Sequence, residues 1–504
     1  TKFREHFINH ILAIEQLERN QNRENFNETL ALSQISQASR VSLAIRRKEA
    51  REQTGPATEN IRKYQYYTNE RQQLEAQLKE YVDNREIEKS LQDKIENITL
   101  TANYYKNEIP NYFEYLVPKA LRLAEIQNRL EPKQAIINFI VTDSKVLSWG
   151  ITQDDYHFHS FQMDRMRLAN KIDKLRLALQ KPDQIENFPF EITNELYEKL
   201  LEPFLKNFPE IDNLLIVPDG PLHSLPFGIL TSKHVDLGLK MNKPPWLIKS
   251  YAIGILPSLE TFAFSKKSKR FDERKLKIIG FGDPLIGNNK PRDMQELFSQ
   301  RGVFSYSDIQ QLPRLPETAD ELELIAKRFT LGISEMYLGS EATEKTLREA
   351  NLSEANILIF ATHAISASLN SELNEPAIVL TPVSELDLSN DGLLTSSEIN
   401  NLKLNADLVI LSACSTANTD LNANHAYTGL AQSFFFAGAD SVLATHWDVE
   451  TNAATEITTG LISNLGGSNQ LDFIKAFRLS ILDVLDSEYS HPFYWAPFLI
   501  IGNN

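Results

Sequence analysis

The only cysteine among 504 residues is Cys414, which stands just past the apolar run Leu408-Val409-Ile410-Leu411 and the pair Ser412-Ala413. A second run of the same build, Ile357-Leu358-Ile359-Phe360-Ala361-Thr362, ends in His363, 51 residues earlier. Short uninterrupted apolar runs fit strands buried on both faces. Two such strands would bring a thiol and an imidazole to the C-terminal edge of a parallel sheet, where open α/β sheets bind ligands. The thiolate is the nucleophile in thiol chemistry, and a neighbouring imidazole accepts its proton or holds it as an ion pair. An unpaired cysteine is more commonly a small core residue. Here, however, the thiol follows the run instead of lying inside it, and small polar residues come next, Ser415-Thr416-Ala417-Asn418-Thr419. The pair therefore reads as the nucleophile and base of peptide hydrolysis. That chemistry also needs hydrogen-bond donors for an oxyanion, for which the backbone amides of Cys414 and Ala364 are the candidates.

The other histidines have weaker claims. His446 ends Ala444-Thr445-His446, a repeat of Ala361-Thr362-His363, but it comes after the cysteine. Cysteine peptidases of the caspase type place the histidine about 50 residues before it. Trp447 beside His446 reads as a pocket wall. His157 and His159 share a strand face and could bind metal, yet no third ligand lies near them, so a solvated face is expected. His491 precedes Pro492 and reads as a local cap. No metal site or cofactor-binding loop is expected.

The whole chain narrows the setting. Its 504 residues exceed what one core accommodates, so two or three domains are expected. A hydrophobic content of 42% with 24% charged residues is ordinary for a soluble globular protein. One cysteine leaves no intrachain disulfide framework and no thiolate zinc site, which points to a reducing, cytoplasmic setting. No apolar stretch approaches the roughly 20 residues that span a bilayer. A net charge of −15 argues against nucleic acid and anionic membrane as partners. The chain opens on Thr1, from which further sequence upstream is expected.

The elements that must position the pair are also legible. Residues 1–130 read as helical: Phe7, Ile11, Ile14 and Leu17 recur at helical spacing, as do Leu74, Leu78 and Tyr81, then Ile87, Leu91, Ile95 and Ile98. Thr54-Gly55-Pro56 breaks the run. A scaffold of long antiparallel helices is expected there, with a partner-reading surface as the alternative. Strand patterns then alternate with helical ones. Strands are expected at 135–141, 214–218, 276–283, 335–338, 357–363, 377–380, 406–414, 441–444 and 498–501, with helices between several of them. Such alternation predicts an α/β fold with a mostly parallel sheet flanked by helices. Two units are expected, 131–270 and 271–504, and only the second carries both His363 and Cys414. The polar stretches 284–315 and 367–375 read as long loops.

An ordered set of short motifs resembles the CHAT domains, caspase-like peptidases related to separase and often fused to tetratricopeptide repeats. In order these are Pro218-Asp219-Gly220-Pro221-Leu222-His223-Ser224-Leu225-Pro226-Phe227, Gly282-Asp283-Pro284, Leu312-Pro313-Arg314-Leu315-Pro316-Glu317-Thr318-Ala319-Asp320-Glu321 and Phe360-Ala361-Thr362-His363. They continue with Asp391-Gly392-Leu393-Leu394-Thr395-Ser396-Ser397-Glu398-Ile399, Leu411-Ser412-Ala413-Cys414 and Pro492-Phe493-Tyr494-Trp495-Ala496-Pro497-Phe498. The resemblance covers about 130–504. Ser33 to Arg40 resembles the helix that follows the last repeats, so residues 1 to 23 would end a repeat array. The resemblance implies a pseudo-protease half followed by an active half. The chain departs from the family at Ala417, where most members carry glycine, and from caspases at Ala364, also a glycine there.

Carried across by topology, the caspase layout makes Asp283, Ser412, Trp447 and Asp448 the walls of the specificity pocket, and two acids there would favour Arg or Lys before the scissile bond. The resemblance further implies a cysteine endopeptidase held inactive until its helical region meets a regulatory protein. Gasdermin-like pore formers of bacterial defence are its implied class of protein substrate. An interaction scaffold with a vestigial peptidase fold is the alternative, and a small-molecule acyltransferase or thiol hydrolase is a third reading of the same pair.

Overall fold

In a computed structural model, strands carrying the longest apolar runs lie at the centre of one large sheet. The structure describes all residues except 1, 18–22, 38–39, 54, 81–84, 118, 181–187, 236–240, 242, 265–275, 287–311, 330–331, 366–374, 384–389, 413–428, 448, 466–470 and 503–504. The chain divides into two compact units, residues 1–42 with 120–504, and residues 43–119.

In chain order the strands of the larger unit are β1 (Gln134–Val141), β2 (Lys145–Ile151), β3 (Tyr156–Gln162), β4 (Asn213–Val217), β5 (Ala252–Ile255), β6 (Lys277–Gly282) and β7 (Ile333–Leu338). Then come β8 (Ile357–Ala361), β9 (Ala364–Ile365), β10 (Ala377–Val379), β11 (Leu393–Thr395), β12 (Leu408–Leu411), β13 (Ser441–Thr445) and β14 (Phe498–Gly502). Eleven of them form one sheet in the order β3-β2-β1-β4-β5-β14-β13-β12-β8-β6-β7, and β11-β10-β9 form a small second sheet. β1, β4, β5 and β14 run parallel to one another, and so do β7, β6, β8, β12 and β13. The two sets meet where β14 pairs antiparallel with β13. The two α/β blocks of the sequence thus share a single sheet, joined where Ile255 of β5 faces Ile501 of β14.

The central strands β4, β8, β12 and β13 are buried along their whole length, as uninterrupted apolar sequence requires. β3 is half-buried at the sheet edge, so its Tyr156-His157-Phe158-His159 text lacks that signature. Helices Arg165–Leu179, Phe190–Leu200, Glu317–Arg328, Thr451–Leu465 and Phe473–Leu485 each bury an apolar face.

The first helices belong to this unit. Phe26 packs on Tyr156 with ring centres 4.6 Å apart, and the Trp149 indole donates to Thr29 Oγ1 at 3.1 Å. Asn138, wholly buried in β1, donates to Ser33 Oγ at 2.9 Å. In the smaller unit, Ala50, Ile61, Ile109 and Tyr112 form a core, and Gln65 links Arg51 at 3.1 Å to the Tyr112 hydroxyl at 2.7 Å. Helices Thr58–Glu80 and Arg85–Asn107 belong to it, with Tyr67 stacked on Tyr105. No helix among the described residues is long and apolar enough to cross a membrane.

Asp219, in the Pro-Asp-Gly motif, ties helix Lys2–Leu17 to the sheet. Its Oδ2 accepts from Arg4 at 2.5 Å and from the Val141 amide at 2.7 Å. Burial alone would raise this carboxyl, but Arg4 and the amide outweigh it and hold the group below the usual carboxylate range. A depressed carboxylate contributes stability above its unfolded pKa, and that contribution is lost as pH falls through the folded value. Asp219→Asn should cost about 3 kcal/mol at pH 7, because it strands a mostly buried guanidinium. Urea denaturation at pH 7 and in acid should show the gap between parent and variant narrowing on acidification.

Candidate active site

Register fixes where β8 and β12 end. On β8, Phe360 lies opposite Phe281 of β6 on one side and Leu411 of β12 on the other. The ladder continues one step further, where the Ser412 amide donates to Phe360 O at 3.0 Å. Counted along the chain, His363 is three residues past Phe360 and Cys414 three residues past Leu411. Cys414 and Asp448 lie outside the described residues.

His363 is buried, and its Nε2 sits 2.8 Å from the Pro313 carbonyl. A carbonyl oxygen only accepts, so Nε2 carries the hydrogen and Nδ1 is the accepting nitrogen of the neutral ring. The backbone around it is held on both sides of the residue. Thr362 Oγ1 donates to Val379 O at 2.7 Å, and the Val379 amide donates to His363 O at 2.9 Å. That last bond makes Ala364 and Ile378 a non-hydrogen-bonded pair of the β9–β10 ladder. The Ala364 N–H is therefore left out of that ladder and turned away from β10.

Asp283 follows β6 with φ +47°, a left-handed conformation that Asp tolerates better than most residues. Its amide donates to Thr318 Oγ1 at 2.8 Å. Its carboxylate takes a bidentate pair from Arg314, Nε to Oδ1 at 2.7 Å and Nη2 to Oδ2 at 2.6 Å. The charge of Asp283 is thus answered within the chain, and a basic substrate side chain would have to displace Arg314. Ser412 turns its hydroxyl towards Glu321, 3.4 Å away, and the Trp447 indole donates to Phe493 O at 3.2 Å. The nominated wall residues are anchored to separate neighbours: Asp283 to Arg314, Ser412 to Glu321 and Trp447 to Phe493.

His446 stands on the other side of β12, after β13, and is wholly buried in the wall of an apolar pocket with Phe498, Leu499 and Trp495. Burial first, then the nearby Arg176 and His223, pushes its imidazole down to about 3. A ring that weakly basic is a poor proton acceptor for a thiol. His157 and His159 pack edge-on against Phe204 at 5.7 and 6.3 Å. His491 caps helix Pro492–Trp495, its Nδ1 accepting from the Phe493 amide at 3.0 Å. Among the described residues no group of three or more His, Cys, Asp or Glu is placed to hold a metal ion.

Glu321 is the residue that the sequence reading passed over. It sits on the buried face of helix Glu317–Arg328 with Thr318, Leu322 and Ile325, and a Glu at that spacing on an apolar stripe is the signal that could have revealed it. Thr458 Oγ1 lies 2.6 Å from Oε1, and Ser412 Oγ 3.4 Å from Oε2. Burial pushes its carboxyl up to about 7, against the opposing pull of those two hydroxyls. A raised carboxyl contributes its full stability below the unfolded value near 4.5 and loses it as pH rises through the folded one. Glu321→Gln should therefore match the parent at pH 4.5 and exceed it at pH 8 by on the order of 3 kcal/mol. Melting curves across that range test this, and a parent whose stability is flat from pH 4.5 to 8 would contradict it.

The CHAT domain matches residues 191–503. Human tetratricopeptide repeat protein 28 is 24% identical over 320 residues, covering 58% of this chain and 12% of that protein. Its mouse counterpart is 26% identical over 218 residues, covering 38% and 9%. The chain thus spans a small part of the curated relatives it matches. Among solved structures, the Saccharomyces cerevisiae separase–securin complex aligns with 99% of this chain and 37% of its own, at 12% identity and a TM-score of 0.44. The complex of Porphyromonas gingivalis RgpB pro- and mature domains aligns with 66% and 75%, at 10% identity and a TM-score of 0.37. The match to the CHAT domain runs over more than half of the chain and takes in every strand from β4 to β14 together with His363 and Cys414; the chain belongs to the CHAT domain family.

Proposed function

We propose that the chain is a cysteine endopeptidase in which Cys414 is the nucleophile and His363 its base. The observation that carries this reading is the register of β8 and β12, which gives His363 and Cys414 equal offsets beyond paired residues at the same sheet edge. Pro313 O holds Nε2–H, so Nδ1 is the nitrogen assigned to the thiol proton, and a base oriented by a third group is the arrangement that nucleophilic catalysis uses. The amides of Ala364 and Cys414 are assigned to the oxyanion. The Ala364 N–H, excluded from the β10 ladder, is consistent with that role. Ser412, Trp447 and Asp448 remain the proposed pocket neighbourhood, with Asp283 available to a substrate cation only if Arg314 yields.

The proposed substrate is a protein, and the proposed regulator is a protein that docks on the helical region. Leu100 and Tyr104 on helix Arg85–Asn107 are 64% and 62% exposed there, which supports a docking face. A gasdermin-like pore former and a role in bacterial defence belong to the same proposal.

Cys414→Ala and His363→Ala should each lower cleavage of the cognate protein by on the order of 10³-fold or more while leaving the melting temperature within a few degrees. Continued cleavage by the Cys414 variant would refute the assignment. A peptide carrying a thiol-reactive group should label the parent at Cys414 and the His363 variant far more slowly. Equal labelling of both would favour the scaffold reading instead.

A further inference from the structure

The carbonyl that orients His363 belongs to Pro313, and each neighbour of Pro313 is fixed by a different interaction. Leu312 is buried in a small apolar cluster with Ile286, Ile365, Ala377, Val379 and Leu393, so it is moored beside the β9–β11 sheet. Arg314 forms its bidentate pair with Asp283. Leu315 O accepts from Thr318 Oγ1 at 2.7 Å, and the same oxygen of Thr318 receives the Asp283 amide at 2.8 Å. Thr318 therefore ties the end of β6 to the segment that carries Pro313. Proline cannot donate, so the segment offers His363 a carbonyl at this residue and no competing amide.

We propose that Asp283 and Arg314 are positioning residues for the base: their ion pair holds the Pro313 carbonyl on Nε2–H of His363 and so keeps Nδ1 turned to receive the Cys414 proton. This rests on the dyad reading above and adds to it the device that aims the imidazole. It also gives Asp283 a function that does not require a basic substrate. The left-handed backbone at Asp283 fits such a role, since it aims a short carboxylate from the strand end at a neighbouring segment instead of into open solvent. Bidentate geometry is what a lysine could not reproduce, because an ammonium offers point charge without the planar fork.

Two measurements on the intact chain decide it. Cys414 is the only thiol, so the pH dependence of iodoacetamide alkylation reports its ionisation without interference. In the parent the alkylation midpoint should lie well below the ordinary thiol value near 8.5. Arg314→Ala should move it up by about one unit and Arg314→Lys by less, with cleavage falling about tenfold or more in kcat and little in KM. Asp283→Asn should act alike, and the double variant should be no worse than either single one. Nitrogen-15 histidine spectra supply a readout independent of activity. The His363 signal, identified by its loss in His363→Gln, should report Nε2–H in the parent and a mixture of tautomers in Arg314→Ala. An unchanged tautomer and midpoint in Arg314→Ala would overturn the proposal. So would an increase in activity, which would make Arg314 a plug, or a change confined to KM, which would make the pair a specificity element. If His363→Gln leaves the alkylation midpoint where it was, the dyad reading falls, while the tautomer spectra still decide whether Arg314 positions the ring.

Discussion

Phe360 has hydrogen-bonded strands on both sides and aromatic partners on β6 and on a covering helix. Its ring lies 5.7 Å from Phe281 of β6 and 5.4 Å from Phe434 of helix Gly429–Ala437, and Phe281 stacks in turn on Tyr337 of β7 at 5.1 Å. This stack locks the register of β7, β6 and β8. A slip of one residue would carry the Phe360 ring to the opposite face of the sheet, away from Phe281 and Phe434. With the register fixed, Asp283, His363 and the segment leading to Cys414 emerge side by side, and the chemistry at the edge inherits its precision from packing one or two residues below.

The polar groups immediately under that edge are few and each is committed. Glu321 meets Thr458 and Ser412, Thr318 meets Asp283 and Leu315, and Thr362 meets Val379. In a low-dielectric layer such bonds are costly to leave unmade, so each one narrows the positions open to the backbone above it. Glu321 extends this logic to a proton. Burial pushes its carboxyl up to about 7 while the Thr458 and Ser412 hydroxyls, both aimed at its oxygens, pull it back, so the group sits between two opposed influences near neutral pH.

Much of this was legible in the sequence, for reasons specific to particular residues. β8, β12 and β13 announce themselves because strands buried on both faces read as continuous apolar text, and His363 and Cys414 are visible as the polar residues that end it. β2 and β5 escaped notice, and β3 showed itself only in the strand face shared by His157 and His159. Lys145 and Ser148 interrupt β2, histidines alternate through half-buried β3, and β5 is only Ala252–Ile255. The antiparallel course of β14 leaves no mark in Phe498-Leu499-Ile500-Ile501, since a buried run looks the same in either direction. Arg314 and Glu321 stood inside a quoted motif, but what each binds is decided by residues 31 and 91 to 137 positions away, a separation that local pattern does not encode. Asp219 stood in the Pro-Asp-Gly motif; that it bolts the first helix to the sheet depends on Arg4, 215 positions before it.

The reversal between β13 and β14 has a consequence for how many crevices such a molecule can offer. Had the two parallel sets run the same way, both would have opened their strand-end loops onto one rim, and two similar clefts would have stood side by side competing for the same chain. Set head to tail, they divide the rims between them. The loop that follows β4 spends its rim on anchorage, through Asp219 and the first helix, while β6 and β8 end at the other rim, where Asp283 and His363 stand. One sheet thus carries a mechanical margin and a chemical margin. His223 in the loop after β4 lies near both Asp219 and His446, so the two margins are linked through that ring.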